Sequence, residues 1–143
     1  MFELEEYAYG NKINCVDFST QNSKLVYGCS DGHIKVHDIR KENSFNRLPI
    51  GIKNLNDRVL RVALSPSLQN LAIGTAGIRP TTSPMRVYDF GSLKEVQTLQ
   101  PSNRIEYKKG AGILALSYID ENSLISAGYD TFIRIVDLRS NKW

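Results

Sequence analysis

Short alternations of apolar and polar residues divide this chain into strands separated by turns, and one order of turn and strand occurs three times. The clearest copy is Gly128 to Arg139, where Asp130 begins the turn before an apolar strand. A short carboxylate favours such a turn because it accepts hydrogen bonds from neighbouring backbone N–H groups. The same order occurs from Gly28 to Arg40 and, more loosely, from Gly74 to Phe90. The β-branched and aromatic residues between Phe132 and Leu138 predict a strand that is buried on both faces.

The spacing of the apolar strands defines a repeat, which is sought first because a missed repeat misassigns the fold. Three apolar positions recur at constant offsets of 46 and then 54 residues, as Ile13, Val16 and Phe18, then Val59, Val62 and Leu64, then Ile113, Leu116 and Tyr118. Second strands are predicted at Leu25 to Cys29, Leu71 to Thr75 and Ser123 to Ala127. Third strands are predicted to end at Asp38, Asp89 and Asp137.

Weaker patterns suggest additional strands in two of the three units. Fourth strands are predicted at Phe45 to Ile50 and at Val96 to Leu99, and Phe2 to Tyr9 is predicted as the outer strand of a preceding unit. Four short strands in a unit of about 40–50 residues, with no helical period between them, are typical of a β-propeller blade. A βαβ repeat would need a helical stripe between strands, whereas a β-sandwich, which does not require a repeated unit, remains an alternative.

The sequence therefore predicts an all-β fold, a partial β-propeller of about three four-stranded blades. Residues 1–12 form the outer strand of a preceding blade, 13–58 form blade 1, 59–112 form blade 2 and 113–143 form an incomplete blade 3. A closed ring needs at least four blades. Because end blades expose apolar surface, we expect the chain alone to be poorly stable or to self-associate.

Composition narrows the class of protein. The 143 residues are 41% hydrophobic and carry a net charge of +3 without a dense basic block, so no nucleic acid partner is expected. The apolar stretch from Gly112 to Ile119 falls short of the roughly 18 residues that span a bilayer, so no membrane partner is expected. The acidic start from Met1 to Glu6 is unlike a secretory signal, which favours a cytoplasmic or nuclear protein. Reduced core thiols are predicted at Cys15 and Cys29, a disulfide or metal site being the alternative.

No residue pattern indicates catalysis. His33 and His37 share a face of one strand, and Cys29 and Asp31 are the only further metal ligands near them, so we expect no metal. A glycine-rich phosphate loop, a Gly-x-Ser-x-Gly turn and a Cys-x-x-Cys pair are all lacking. We therefore predict that the protein is not an enzyme and holds no cofactor.

The repeated units resemble WD repeats. The resemblance rests on structural turn acids at Asp31 and Asp130 and on acids that close the third strand at Asp38, Asp89 and Asp137. The tryptophan that precedes the closing acid in the family is replaced here by His37, Tyr88 and Val136. In the family, a histidine, a second-strand serine or threonine, the turn acid and the tryptophan form a hydrogen-bonded set. Of that set, the sequence keeps the turn acids and Ser126.

One stretch, from Tyr107 to Ser140, resembles more particularly the F-box WD-repeat family. Gly-Ala-Gly precedes its first strand, Gly-Tyr-Asp-Thr precedes its third, and Asp-Leu-Arg follows. The resemblance implies a substrate receptor of a Skp-cullin-F-box ubiquitin ligase, whose partners are the substrate and the cullin-ligase subunits. The F-box itself has no counterpart in these residues.

The WD-repeat resemblance also places two kinds of loop on one side of the propeller, those between second and third strands and those between blades. The basic residues that these loops would contribute form a rim for an acidic or phosphorylated peptide, namely Arg58, Arg79, Arg104, Lys108 and Lys109. Solvated loop charge is the simpler interpretation. The arginines with which related F-box propellers grip phosphate are replaced here, for example by Asn14 and Ser30.

Two endings of the form Asp-x-Arg, at Asp38 to Arg40 and at Asp137 to Arg139, leave a second hypothesis open. They resemble the box with which other WD proteins dock the damaged-DNA-binding adaptor of a different cullin ligase. The alternative is that each arginine caps a strand end through the adjacent acid. A plain scaffold with no ligase link is the third possibility.

Overall fold

The computed structural model describes residues 12–40, 51–78, 84–98 and 112–140, where all regular structure is β-strand. Side chains that alternate between apolar and polar, with turn residues between runs, account for the short strands. In chain order the strands are β1 (Ile13–Ser19), β2 (Lys24–Cys29), β3 (His33–Asp38), β4 (Gly51–Asn54), β5 (Val59–Leu64), β6 (Asn70–Thr75), β7 (Met85–Asp89), β8 (Glu95–Thr98), β9 (Ile113–Asp120), β10 (Ser123–Gly128) and β11 (Ile133–Asp137).

The strands form three antiparallel sheets, in each of which every strand pairs with the next one along the chain. Sheet 1 has the order β1-β2-β3-β4 and sheet 2 the order β5-β6-β7-β8. Sheet 3 has the order β9-β10-β11 within the described residues. Sheet 2 lies between the other two, because β5 contacts β1 on one side and β9 on the other. The prediction of an all-β fold made of repeated antiparallel sheets is confirmed.

The predicted strands agree with the observed ones to within a residue or two where both are described. Second strands begin and end within one residue of prediction, and the third strands end at Asp38, Asp89 and Asp137 as expected. The fourth strand of sheet 1 is β4, whereas the predicted Phe45 to Ile50 lies outside the described residues. The fourth strand of sheet 2 is β8, which covers the predicted Val96 to Leu99 except for Leu99, also outside them. The predicted outer strand Phe2 to Tyr9 lies outside them as well.

Two apolar layers hold the sheets together. The layer between sheets 1 and 2 contains Val26, Ile34, Val36, Leu55, Val59, Val62, Leu71, Ile73, Tyr88 and Leu93. The layer that joins sheets 2 and 3 contains Ala63, Ala72, Met85, Val87, Ile113, Leu124 and Val136. Because successive side chains of a strand point to opposite faces, sheet 2 supplies both layers, with Leu71 and Ile73 in the first and Ala72 in the second.

The prediction that the third strand of the last repeat is buried on both faces is wrong in this chain. In β11, Arg134 and Val136 are buried, but Ile133 and Ile135 are 74% and 61% exposed. The reason is that, among the described residues, a neighbouring sheet packs on one side of sheet 3 and none on the other. Residue types suited to burial are therefore present on a face that no described residue covers.

Polar contacts also cross between the sheets. The Asp17 carboxylate in sheet 1 accepts a hydrogen bond of 2.8 Å from the Leu64 backbone N–H in sheet 2. The Ser67 hydroxyl donates to the Glu121 carboxylate at 2.8 Å and so ties the β5–β6 turn to sheet 3. Cys15 and Cys29 are not joined in a disulfide, and burial raises the pKa of the Cys15 thiol to about 11. In the ranges described, no helix is long and apolar enough to cross a membrane.

Candidate functional site

A cleft lies where sheets 1 and 2 meet, at the edge that carries the β2–β3 turn. Its volume is about 390 Å³, and residues from three connections line it: Ser30, Asp31, Asn56, Asp57, Arg58 and Ile78. Ser30 and Asp31 come from the β2–β3 turn, and Asn56 to Arg58 come from the connection between sheets 1 and 2. Ile78 comes from the β6–β7 connection, so turns of two sheets meet at this edge.

Gly32 allows the β2–β3 turn and the connection between the sheets to approach each other. Its φ is +93°, which favours glycine, and a Cβ there would lie 2.9 Å from the Asp57 carbonyl oxygen. The Gly32 carbonyl oxygen accepts a hydrogen bond of 2.9 Å from the Leu55 N–H. A backbone hydrogen bond thus joins the β2–β3 turn to the connection between sheets 1 and 2, the two sides of the cleft.

Asp57 is the most deeply buried polar side chain of the cleft. It is 5% exposed, and its Oδ2 accepts a hydrogen bond of 3.0 Å from the Gly77 N–H at the start of the long β6–β7 connection. Its Oδ1 is buried and has no hydrogen-bond partner among the described residues. Such an atom is rare because a buried unsatisfied acceptor costs about 1–3 kcal/mol. Asp57 was not predicted as a site residue from the sequence, although the Asn and Asp residues between Asn54 and Arg58 are of types common in turns.

Asp31 is fixed by its neighbour in the same turn. Its Oδ1 accepts a bond of 3.0 Å from the His33 N–H, and its Oδ2 lies 2.7 Å from the His33 Nδ1. Burial acts to raise the pKa of Asp31, but the bonds from His33 outweigh it and hold that pKa below its ordinary value. Asp31 is therefore an anionic, already partnered member of the cleft.

Arg58 is the one residue of the predicted basic rim that lies in the described part of the chain. It is exposed, and the ion pairs of the described residues do not include it. Two carboxylates, Asp31 and Asp57, share the cleft with it, so this portion of the rim carries mixed charge. The other rim residues, Arg79, Arg104, Lys108 and Lys109, lie outside the described residues, and the rim as a whole stays a prediction.

In sheet 3 the equivalent turn is organised differently. The Asp130 Oδ1 accepts a bond of 3.3 Å from the Phe132 N–H, and its Oδ2 lies 2.5 Å from the Arg134 Nη2. Ser126 is buried, but its hydroxyl has no partner among the described residues and does not bond Asp130. A third-strand side chain, His33 or Arg134, thus holds each turn acid in place of the family's hydrogen-bonded set. Neither the role of His33 nor that of Arg134 was predicted from the sequence.

Low pH is expected to lower the stability of the fold because it protonates Asp130. Burial acts to raise the pKa of Asp130, but bonds from Arg134 and Phe132 hold that pKa below its ordinary value. A carboxyl whose folded pKa is depressed stabilises the fold fully above its unfolded pKa, near 3.9, and loses that contribution as pH falls further. We expect Asp130→Asn to cost about 2 kcal/mol at pH 7, where a charged hydrogen bond is lost. Urea unfolding at pH 7 and pH 3 should show the gap to wild type narrowing at pH 3, and an equal gap at both pH values would contradict this.

The two Asp-x-Arg endings lie at the edge of the sheets opposite the cleft. Their charged side chains pair with other residues of this chain. The Lys24 Nζ, 2.5 Å from the Asp38 Oδ2, and the nearby Arg40 hold the pKa of Asp38 well below its ordinary value. The Arg139 guanidinium donates two bonds to Asp137, at 3.0 and 2.9 Å. Each arginine therefore contacts its own acid, which is the strand-cap arrangement. Across the described ranges, no three His, Cys, Asp or Glu side chains cluster as a metal site would require.

Antiparallel sheets with one repeated strand order, two of four strands and one of three within the described residues, stack face to face with turn acids at one edge and define a partial β-propeller. The family described as "WD domain, G-beta repeat" matches residues 3–38. The sequence is similar to F-box/WD repeat-containing protein 4 of Mus musculus and of Homo sapiens, 31% identical in each case over 142 residues. The match covers 98% of this chain but 32% of each relative, so the chain spans about a third of their length. The resemblance to WD-repeat proteins, and to this F-box protein in particular, is confirmed.

Solved structures agree on the fold. A structure described as RRP9 WD40 repeats superimposes with a TM-score of 0.71 at 13% identity, covering 94% of this chain and 38% of that one. A chain of a mitotic checkpoint complex superimposes with a TM-score of 0.74 at 18% identity, covering 96% and 37%. At these identities the likeness concerns the fold alone.

Proposed function

We propose that this chain is part of the protein-binding propeller of a substrate receptor in a Skp-cullin-F-box ubiquitin ligase. The observation that carries the proposal is the 31% identity to F-box/WD repeat-containing protein 4 along 98% of the chain. Because the chain covers a third of those relatives, the F-box and the adaptor contact are assigned to regions beyond the 143 residues. The role is binding rather than catalysis, in the cytoplasm or nucleus. The proposed blades are residues 13–58, 59–112 and 113–143, with 1–12 in a preceding blade.

The cleft is the proposed contact with the ligase substrate. Three connections converge on it, and connections that a rigid scaffold positions are where propellers present binding residues. Arg58 is exposed and outside the described ion pairs, so its guanidinium is available to an acidic or phosphorylated peptide. Arg79, Arg104, Lys108 and Lys109 are proposed to extend the same basic surface.

The identity of the adaptor that binds the full-length protein distinguishes between the ligase hypotheses. The full-length protein, tagged and captured from cells, is expected to bring down the Skp adaptor. Recovery of the damaged-DNA-binding adaptor instead would favour the other cullin ligase, and recovery of neither would favour a plain scaffold. The pairing of Arg40 with Asp38 and of Arg139 with Asp137 supports the strand-cap interpretation over adaptor docking.

Reversing the charge of Arg58 tests the cleft separately. We expect Arg58→Glu in the full-length protein to lose a subset of captured proteins while keeping the adaptor, because the negative side chain repels an acidic ligand. Lys94→Glu is the matched control, since Lys94 is an exposed cation at the β7–β8 turn on the opposite edge of sheet 2. Quantitative mass spectrometry of the three captures gives the comparison. Identical protein sets for wild type and Arg58→Glu would remove the cleft as the contact.

A further inference from the structure

Two polar side chains that line the cleft between sheets 1 and 2 are bonded within the chain. The Ser30 hydroxyl donates a hydrogen bond of 3.1 Å to the Asn14 Oδ1. The Asp31 carboxylate contacts His33 through both oxygens, at 3.0 Å from its backbone N and 2.7 Å from its Nδ1. The β2–β3 turn therefore supplies the cleft with polar groups that already have partners.

Asp57 and Arg58, on the other side of the cleft, differ from these groups. The Asp57 side chain is 5% exposed, and its Oδ2 accepts the bond from the Gly77 N–H. Its Oδ1 has no hydrogen-bond partner among the described residues. Arg58 is exposed and forms no ion pair with a carboxylate of the described residues. This side of the cleft thus holds an unused acceptor and an unused cation.

The two charges do not pair with each other, because they lie at different depths. Asp57 is buried and Arg58, the next residue, is at the surface. Backbone contact with Gly32 holds the segment in place: the Leu55 N–H donates to the Gly32 carbonyl oxygen at 2.9 Å, and a Gly32 Cβ would lie 2.9 Å from the Asp57 carbonyl oxygen. The acceptor and the cation are therefore held apart on one rigid segment.

The charge of the cleft favours a cationic donor for the Asp57 Oδ1. The described lining contains two carboxylates, Asp31 and Asp57, and one guanidinium, that of Arg58. Bonds from His33 hold the pKa of Asp31 below its ordinary value, so Asp31 stays charged at neutral pH. A buried acceptor gains a hydrogen bond when a ligand brings a donor, and excess negative charge favours a positively charged donor over a neutral one.

We propose that Asp57 determines the specificity of the cleft by binding a basic side chain of the same peptide whose acidic group Arg58 binds. This inference rests on the proposed function, which makes the cleft the substrate contact, and it adds that the ligand carries neighbouring opposite charges. The cleft volume of about 390 Å³ is within the range of about 300–1,000 Å³ that ligand sites occupy. A peptide with acidic residues alone would leave the Asp57 Oδ1 without a donor.

Peptides of defined charge test the inference on the purified full-length protein. An array presents short synthetic peptides in which random residues flank an acidic residue and a lysine, an acidic residue and an alanine, or an acidic residue and an acetyl-lysine. We expect the lysine set to bind most strongly. In its best peptide, exchanging lysine for alanine or acetyl-lysine should raise the Kd at least about tenfold, the effect of losing a charged hydrogen bond. Equal binding of the lysine and acetyl-lysine peptides would overturn the proposal.

A double-mutant cycle assigns the effect to Asp57. Asp57→Asn keeps an oxygen for the Gly77 N–H but removes the charge, so the exchange of peptide lysine for alanine should change the Kd of this variant by no more than about twofold. Asp120→Asn is the matched control, because Asp120 is exposed at the opposite edge and accepts a bond of 2.7 Å from the Asn122 N–H. The control should keep the wild-type tenfold effect. An Asp57→Asn variant that also keeps it would overturn the assignment.

Ile78→Lys is a second variant, which leaves the buried carboxylate untouched. Ile78 is 54% exposed, lines the cleft and follows Gly77, whose N–H bonds Asp57. A lysine at this position supplies the cleft with a cation of the chain itself. The variant should therefore bind the lysine and alanine peptides alike, and a full preference for the lysine peptide would overturn the proposal. Thermal unfolding followed by circular dichroism checks that each variant is folded.

The outcomes separate this inference from the proposed function. Binding that depends on the acidic residue but not on the lysine would overturn the inference and leave the Arg58 contact in place. Binding that depends on neither residue would overturn the inference together with the cleft as the substrate contact. The assignment to a ligase is tested independently, by the adaptor that is captured with the full-length protein.

Discussion

Replacing Tyr88 with alanine is expected to lower the free energy of unfolding by about 3–5 kcal/mol, the cost of deleting a buried aromatic side chain. Tyr88 is 1% exposed and belongs to the apolar layer between sheets 1 and 2. It stands before Asp89, where related repeats have tryptophan. The ring contributes most of this stability, since the hydroxyl makes two long bonds of 3.4 Å, with Arg86 and Glu95.

Urea unfolding of three variants measures the effect. Tyr88→Phe keeps the ring and should lose less than about 1.5 kcal/mol, the range of one hydrogen bond. Tyr129→Ala is the control for the same substitution at a surface position, because Tyr129 is 68% exposed, and should change stability by less than about 0.5 kcal/mol. If Tyr88→Ala were no more destabilising than Tyr129→Ala, the layer between sheets 1 and 2 would not support the fold.

Replacing Gly28 with alanine is expected to cost about 2–3 kcal/mol through overpacking, although the change adds a single methyl group. A Cβ at position 28 would lie 2.2 Å from the Val59 Cγ1 and 2.9 Å from the Cys15 Sγ. Both neighbours lie in the packed junction between sheets 1 and 2, so the sheets must separate to admit it. Gly74→Ala should behave alike, because its Cβ would lie 2.7 Å from the Ile113 Cβ.

Gly91→Ala is the matched control. A Cβ at position 91 would have the Asp89 Oδ1 at 3.6 Å as its nearest neighbour, which is ordinary contact. Its effect on the free energy of unfolding should stay within about 0.5 kcal/mol. Equal stabilities of the Gly28→Ala and Gly91→Ala variants would show that the sheets are spaced more widely than the structure describes.

The repeat could be recognised in the sequence because each strand keeps its alternation of apolar and polar residues and each turn keeps its own residue types. The constant offsets from Ile13 to Val59 and Ile113 identified equivalent positions, and β1, β5 and β9 each begin at those residues. The turn acids Asp31 and Asp130 were also identified from their local order. These are properties of neighbouring residues, which a sequence displays directly.

The residues of the candidate site were harder to predict from the sequence than the repeat was. Arg58 was singled out as a charged loop residue, yet Asp57 beside it was not, although Asp57 is the buried member of the cleft. Its burial results from the Gly77 N–H, 20 residues further on, and from the close approach of Gly32. The pairing of Arg134 with Asp130 likewise depends on the turn geometry that brings them together. No local pattern encodes such distances.

The sequence by itself determined the strands, their order within each repeat and the kind of propeller they build, because alternation and turn chemistry are local. Only the tertiary structure decided which apolar faces are covered. Ile34 and Ile133 occupy the same position in their repeats, but one is fully buried and the other is 74% exposed. A following sheet packs on Ile34, whereas no described residue packs over Ile133 in that way. Burial therefore depends on the neighbours that packing brings together and not on the residue type.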